Sequence, residues 1–285
     1  MFNLFGKKKA AAQPEANAED AQVQAFAQQF EPEEFTILAV TGANGFGGGK
    51  AGDDKLWTAS IELTAWMEEN GGEVHHQSAR LVTLADDTLL EYLRTRVPKD
   101  FILKIKVRQA RAGSRFQLIG LPEPGFDPDL KTILDEQKKP VSHYIEALGT
   151  FTLNRTVNWF EANVDWLGAE IALNFDQEED MAGCAQTAKA LMADQAGWDG
   201  RIRTYAAQQL LELANDWAQD GAQEDEEPQA VTQEQFVERM DLESIQVSED
   251  GGFTFWFNDG DLFWGHAIRV SGDLTNGPTE AQMEG

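Results

Sequence analysis

The segment that most restricts the fold is Trp159–Trp166, in which apolar and polar side chains alternate. Successive side chains of a β-strand point to opposite faces of a sheet, so this alternation predicts a strand with one apolar and one polar face. The apolar face carries Phe160, Ala162, Val164 and Trp166, and the polar face carries Trp159, Glu161, Asn163 and Asp165. We therefore expect a sheet whose apolar face is covered by other elements.

The surrounding residues 148–273 are predicted to form one α+β domain. Alternating or apolar runs predict further strands near 151–156, 169–175, 243–248, 253–258 and 266–271. Apolar stripes with helical spacing run through 181–192 and 198–217, and Thr232 to Gln235 has the pattern of a capping box. We expect an antiparallel sheet covered by two or three helices. The tail, 274–285, shows no periodicity and is predicted to be disordered.

The first half of the chain predicts a second domain of a different kind. Three strand-like runs, a helix capped by Asp86 or Asp87, and two more strand-like runs follow one another. This is the order of elements in the OB-fold, so 33–123 is interpreted as a small OB-like β-barrel with one helix. Residues 1–32 are expected to be a flexible segment, and 124–147 to be a connector helix, giving an α+β protein of two domains.

The net charge restricts the class of partner. The 285 residues carry a formal charge of −26, and residues 151–285 alone hold 6 Lys+Arg against 27 Asp+Glu, a charge of −21. Such a field repels phosphate backbones and attracts cationic surfaces. No apolar run reaches the roughly 18 residues of a membrane helix. We expect a basic protein partner, no nucleic acid and no stable membrane insertion. The alternative explanation of the negative charge is that it only keeps the protein soluble.

No cofactor or metal is predicted from the sequence. The glycine loop 42–52 departs from a phosphate-binding loop, because Asn44 and Ala51 occupy the places of the first glycine and the hydroxyl residue. The role of this loop is left open. Adjacent histidines on a strand face opposite ways and do not share a metal. The single cysteine, Cys184, excludes an internal disulfide and fits a small buried apolar side chain.

The candidate catalytic residues are His266, Asp216 and Asp261. A histidine beside a carboxylate can act in general acid–base chemistry, and the same pair can simply fix a half-buried imidazole in a strand. The candidate binding residues are aromatic or acidic side chains of the predicted strand 159–166 and of the segment just before the strand near 266–271. They are Trp159, Glu161, Asp165 and Trp264. Most of the tryptophans lie on apolar faces and are expected to pack in the core.

The chain from Gly149 to Val270 resembles a bacterial family known as domain of unknown function 2262. The resemblance rests on Leu148–Arg155, the hairpin strand Trp159–Trp166, Leu210-Leu211 with Asn215-Asp216-Trp217, and Leu262–His266. The N-terminal half resembles the uncharacterised domain that often precedes this family. The resemblance implies a bacterial, cytoplasmic protein and brings no activity, cofactor or assigned site.

The sequence is compatible with two functions. The first is a non-catalytic protein-interaction module, immunity-like or regulatory, that uses its acidic surface. The alternative is a hydrolase that uses His266 with Asp216 or Asp261 in a tryptophan-lined cleft. Binding of a small ligand or an oligosaccharide by the barrel is a third reading, which rests on fold analogy alone.

Overall fold

The computed structural model describes residues 13–220 and 230–285. Residues 1–12 and 221–229, the second of which includes the acidic run around Pro228, lie outside this range. The chain divides into two compact units between Lys139 and Pro140, each with its own core. None of the described helices is long and apolar enough to cross a membrane.

The first unit contains three helices and seven strands among the described residues. They are α1 Gln13–Ala27, β1 Phe30–Thr41, β2 Gly47–Gly49, β3 Trp57–Glu68, β4 Ala79–Ala85, α2 Asp87–Arg96, β5 Ile102–Ala110, β6 Arg115–Leu118, β7 Glu123–Pro124 and α3 Pro128–Gln137. Five strands close a ring in the order β1–β3–β4–β6–β5, and β5 pairs back to β1. Only β4 and β6 are parallel in this ring. The predicted OB-like barrel with one helix between its third and fourth strands is confirmed.

Alternation along the strands fills the barrel. In β3, Ala59, Ile61 and Leu63 are buried in the barrel core, while Ser60 and Glu62 between them are half-exposed or exposed. The helix α2 begins at the predicted cap, since the Asp86 carboxylate accepts a hydrogen bond from Leu89 N at 2.8 Å. The glycine loop forms β2, which pairs with β3. A Cβ on Gly48 would lie 3.0 Å from both δ-carbons of Leu90, so glycine allows α2 to pack closely there.

Two boundaries of the first domain differ from the prediction. The segment expected to be flexible, 1–32, is helical from Gln13, and its residues Phe26 and Phe30 are buried against the barrel with Val82 and Ala110. Two aromatic side chains in a polar sequence are too few to give a helical period, which explains the error. The helix α3, expected to be a connector, buries Leu130 and Leu134 against barrel residues and belongs to the first unit.

The second unit contains eight strands and three helices among the described residues. They are β8 Ser142–Ile145, β9 Gly149–Asn154, β10 Trp159–Trp166, β11 Ala169–Asp176, α4 Met181–Ala193, α5 Gln195–Asp220, α6 Gln233–Arg239, β12 Asp241–Val247, β13 Gly252–Asn258, β14 Ala267–Asp273 and β15 Gly277–Glu284. The strands form one sheet in the order β15–β14–β13–β12–β11–β10–β9–β8. This agrees with the predicted sheet covered by helices.

The pairing of β11 with β12 is parallel, whereas every other pair in this sheet is antiparallel. A parallel pair requires a long crossover, which here contains all three helices. The apolar face of the sheet packs against these helices: Phe253, Phe255 and Phe257 of β13 are buried in one core with Trp198 and Phe236 of the helices. Full burial of each phenylalanine contributes about 2–3 kcal/mol.

The tail predicted to be disordered is a strand. Residues Gly277–Glu284 form β15, which pairs with β14 along its length. Its only apolar side chains beyond the turn, Ala281 and Met283, pack against the core cluster. The sequence of this strand is therefore weakly patterned, and pairing with β14 and contact with α5 hold it in place.

Candidate functional site

The candidate site is the loop between β13 and β14, Asp259–His266, which we call the Asp259 loop. Asp259 is fully buried. Its Oδ2 accepts hydrogen bonds from Phe263 N at 2.5 Å and Gly265 N at 3.2 Å, and its Oδ1 accepts one from Asp261 N at 3.2 Å. Aspartate side chains that accept hydrogen bonds from nearby backbone N–H groups fix the turn they belong to. One buried carboxylate therefore fixes the backbone of the whole loop.

The Asp259 loop contains residues in a strained backbone conformation. Asp261 and Trp264 have φ of 65° and 57°, a left-handed region that costs a non-glycine residue about 1–2 kcal/mol. Gly260 also has positive φ, and a Cβ there would lie 2.3 Å from the carbonyl oxygen of Arg239. Strain of this kind persists only where the surroundings enforce it, and it is concentrated at functional sites.

The loop buries two of its apolar side chains and presents a third. Leu262 and Phe263 lie in the core, whereas 61% of the Trp264 surface is exposed. The Trp264 ring rests on Trp217 of α5, with ring centroids 4.7 Å apart at an angle of 57°. Trp217 thus packs against the ring of exposed Trp264, and the hydrogen bonds of Asp259 hold the backbone on either side of it.

His266 is half-buried at the end of the loop. Its Nδ1 lies 2.6 Å from the carbonyl oxygen of Phe263, and its ring contacts Trp217 with centroids 5.2 Å apart. A carbonyl oxygen only accepts, so Nδ1 carries the proton in this geometry. Within the described residues, His266 forms no ion pair with any carboxylate.

Neither candidate carboxylate, Asp216 or Asp261, forms a hydrogen bond to the His266 ring. Asp216 is exposed on α5, one residue before Trp217, and Asp261 is exposed on the loop with its backbone N–H bonded to Asp259. Asp261 lies in the same loop as His266, and Asp216 precedes Trp217, whose ring contacts that of His266. No described side chain joins them into a hydrogen-bonded dyad.

The candidate binding residues of β10 fall into two places. Trp159 Nε1 donates to Glu161 Oε2 at 2.8 Å, and Asn154 Nδ2 donates to Glu161 Oε1 at 3.2 Å, so this carboxylate is bound within the sheet. Asp165 is exposed and accepts from Gly168 N at 3.3 Å in the turn after β10. The strand directions put Asp165 at the same end of the sheet as Trp264, and Trp159 at the opposite end.

Family comparison covers both domains. Residues 145–283 match the model of a family described as uncharacterized protein conserved in bacteria (DUF2262). This match spans almost the whole of the second domain, which we call the DUF2262 domain. Residues 22–137 match a domain of unknown function, DUF7021. The predicted resemblance and its two-domain layout are confirmed. No curated protein and no solved structure matches the chain.

Within the DUF2262 domain, two further residues of the site were not predicted from the sequence: Asp259 and, as a support for Trp264, Trp217. The signal for Asp259 was weak, because an aspartate in Asn258-Asp259-Gly260-Asp261 reads as an ordinary turn residue. Among the described residues no three His, Cys, Asp or Glu side chains are grouped so as to hold a metal ion.

Cys184 is buried in the DUF2262 domain. Its Sγ donates to Glu179 Oε2 at 3.3 Å. Burial, together with this hydrogen bond and the charge of Glu179, raises the pKa of the Cys184 thiol to about 12. The thiol is therefore neutral at physiological pH, as expected for a side chain that serves packing.

Proposed function

We propose that the DUF2262 domain is a non-catalytic protein-binding module that contacts a basic partner through Trp264 and the carboxylates near it. The single observation that supports this most strongly is the presentation of Trp264. A large aromatic side chain is 61% exposed while a buried carboxylate and two left-handed residues hold its loop. Tryptophan is enriched among residues that dominate binding energies, and pre-organisation lowers the entropic cost of binding.

The charge of the domain supports a basic partner. Residues 151–285 carry 6 cationic against 27 acidic side chains. Arg203 is paired with Asp199 at 2.7 Å, and Arg269 is paired with Glu280 at 3.2 Å and Glu284 at 2.9 Å. Two exposed carboxylates adjoin Trp264: Asp261 is in the same loop, and Asp216 precedes Trp217, on which Trp264 packs. A third, Asp165, is exposed at the same end of the sheet but lies three strands away, on β10. The exposed Arg239 also lies beside the loop and offsets part of this charge.

A complementary field of this kind steers a cationic partner and raises the association rate. We further propose a cytoplasmic setting, because Cys184 is a free thiol and free thiols persist in reducing compartments. The alternative hydrolase on His266 receives less support, since the imidazole is bonded to a backbone carbonyl oxygen and to no described carboxylate.

The test uses wild-type protein and two variants, Trp264→Ala and Leu167→Ala. Leu167 is a matched control: it lies in the β10–β11 turn at the same end of the sheet, is 53% exposed and has φ of 54°. Each purified protein captures partners from a bacterial lysate at low and moderate salt. A partner retained by the wild type is then purified and its affinity for all three proteins is measured by calorimetry.

We expect Trp264→Ala to weaken binding about 30-fold, as for loss of a 2 kcal/mol anchor, and Leu167→Ala to change it less than about 3-fold. Raising ionic strength from about 0.05 to about 0.3 M should weaken wild-type binding about 10-fold. Equal affinities for Trp264→Ala and wild type would refute the role of the tryptophan. Salt-independent binding would refute the electrostatic part.

A further inference from the structure

The first domain contains a cavity that the proposed binding surface does not involve. Its volume is about 260 Å³, and it lies between the β5–β6 turn and the segment that leads into β4. Its lining includes the rings of Trp66, His75 and Phe116 and the polar side chains of Gln77, Ser114 and Arg115. Ligand sites typically combine such an apolar wall with a few polar groups.

The aromatic wall of this cavity is well ordered by its own contacts. The His75 ring stacks on Trp66 with centroids 3.9 Å apart at 15°, and the two residues exchange backbone hydrogen bonds of 2.8 and 3.1 Å. Phe116 meets Trp66 edge-on at 4.8 Å. These contacts give a rigid surface against which the body of a small molecule can lie.

The polar side of the cavity can donate hydrogen bonds and contains no acid. The chain has 49 Asp and Glu residues, yet none of them lines this cavity. The side chains of Gln77, Gln109 and Ser114 make no hydrogen bond to any described residue. They are therefore available to a ligand.

Arg115 differs from the other arginines of the same hairpin. Arg108 pairs with Glu34 at 2.5 Å and Arg111 pairs with Glu31 at 3.3 Å. Arg115 pairs with no carboxylate in the described chain, and its nearest partner is the neutral amide of Gln29 at 3.3 Å. Of these three arginines, only Arg115 lines the cavity, and only Arg115 has no described carboxylate to neutralise its charge.

A second arginine lies next to Arg115. Arg80 of β4 is its direct neighbour across the parallel β4–β6 pair, and Arg80 N donates to Ser114 O at 2.9 Å. Like charges in facing positions on neighbouring strands are destabilising. Glu62 faces Arg80 on β3, but the two form no ion pair within 4.0 Å. An anion held beside Arg115 would relieve this repulsion, and guanidinium groups suit oxyanions.

From these contacts we propose that the cavity binds a small oxyanion-bearing molecule, a phosphate monoester or a carboxylate. The oxyanion contacts Arg115 and the Ser114 hydroxyl, and the body of the molecule lies against the Trp66–His75 wall. This site is in a different domain from Trp264, so its test is independent of the proposed protein-binding function.

The test is an NMR titration of the full chain with methyl phosphate and, separately, with sodium acetate, each against sodium chloride at the same ionic strength. We expect saturable shifts of the Trp66 indole and the Gly113 and Ser114 amides with at least one probe. The probe that saturates distinguishes a phosphate from a carboxylate ligand. Arg115→Gln should weaken binding at least 10-fold, and Ser114→Ala about 3-fold.

The matched control is Arg111→Gln, which removes the same charge from the same hairpin at a residue that is paired with Glu31 and does not line the cavity. It should change the affinity less than 2-fold. The proposal is overturned if neither probe gives saturable shifts, if sodium chloride gives the same shifts, or if Arg111→Gln weakens binding as much as Arg115→Gln. Shifts confined to other parts of the chain would also overturn it.

Discussion

Replacement of Asp259 tests whether one buried carboxylate holds the loop that presents Trp264. In Asp259→Ala, the backbone N–H groups of Asp261, Phe263 and Gly265 lose their acceptor. In Asp259→Asn, the side-chain oxygen can still serve Phe263 and Gly265, while the amide nitrogen faces the N–H of Asp261. The two variants therefore remove different numbers of hydrogen bonds from the same place.

The magnitude follows from the bonds and the strain. Three backbone hydrogen bonds to this buried side chain, at about 1.5 kcal/mol each, contribute about 5 kcal/mol. Relaxation of Asp261 and Trp264 from positive φ returns about 2 kcal/mol. We expect Asp259→Ala to lower the free energy of unfolding by about 3 kcal/mol and Asp259→Asn to lower it by about 1–2 kcal/mol.

Urea unfolding followed by tryptophan fluorescence measures this change, because six of the eight tryptophans lie after residue 140. Hydrogen exchange of the Phe263 and Gly265 amides locates it in the loop. The control is Asp261→Asn, which changes an exposed carboxylate in the same loop and should alter stability by less than about 0.5 kcal/mol. If Asp259→Ala is no more destabilising than Asp261→Asn, the carboxylate does not hold the loop.

Three further outcomes are expected. Cys184 should react with iodoacetamide at pH 8 only as fast as the domain opens. Rapid labelling of the folded protein would contradict this. Since the pKa of the buried thiol is raised to about 12, the stability that it contributes is fully present below the unfolded pKa near 9 and is lost between pH 9 and 12. Gly272→Ala should lower Tm by several degrees, because its Cβ would lie 2.2 Å from Gly277 O. The control Gly200→Ala, whose Cβ would have no atom within 4 Å, should leave Tm unchanged or raise it. Equal melting temperatures of the two variants would argue against the β14–β15 pairing. Thr232→Ala should cost about 1 kcal/mol in urea unfolding, since the Thr232–Gln235 capping box is formed; no change would mean that α6 does not depend on its cap.

Local pattern determined much of the fold. Alternation in Trp159–Trp166 was enough to define β10 and the face it buries, and the order of strand-like runs around the Asp86 cap was enough for the OB-like barrel. These elements follow from sequence because side-chain period and capping chemistry act over a few residues.

The strand β15 and the site required the tertiary structure. The pairing of β15 with β14 is made by backbone groups that every sequence carries, so its residues show little pattern of their own. From the sequence, Asp259 is indistinguishable from an ordinary turn residue. Only the fold shows that its side chain is buried and accepts hydrogen bonds from three backbone N–H groups. The sequence did place Trp264 and His266 among the candidate residues. Their surroundings depend on burial and on long-range contacts with Trp217, and these contacts exist only once the helix lies on the sheet.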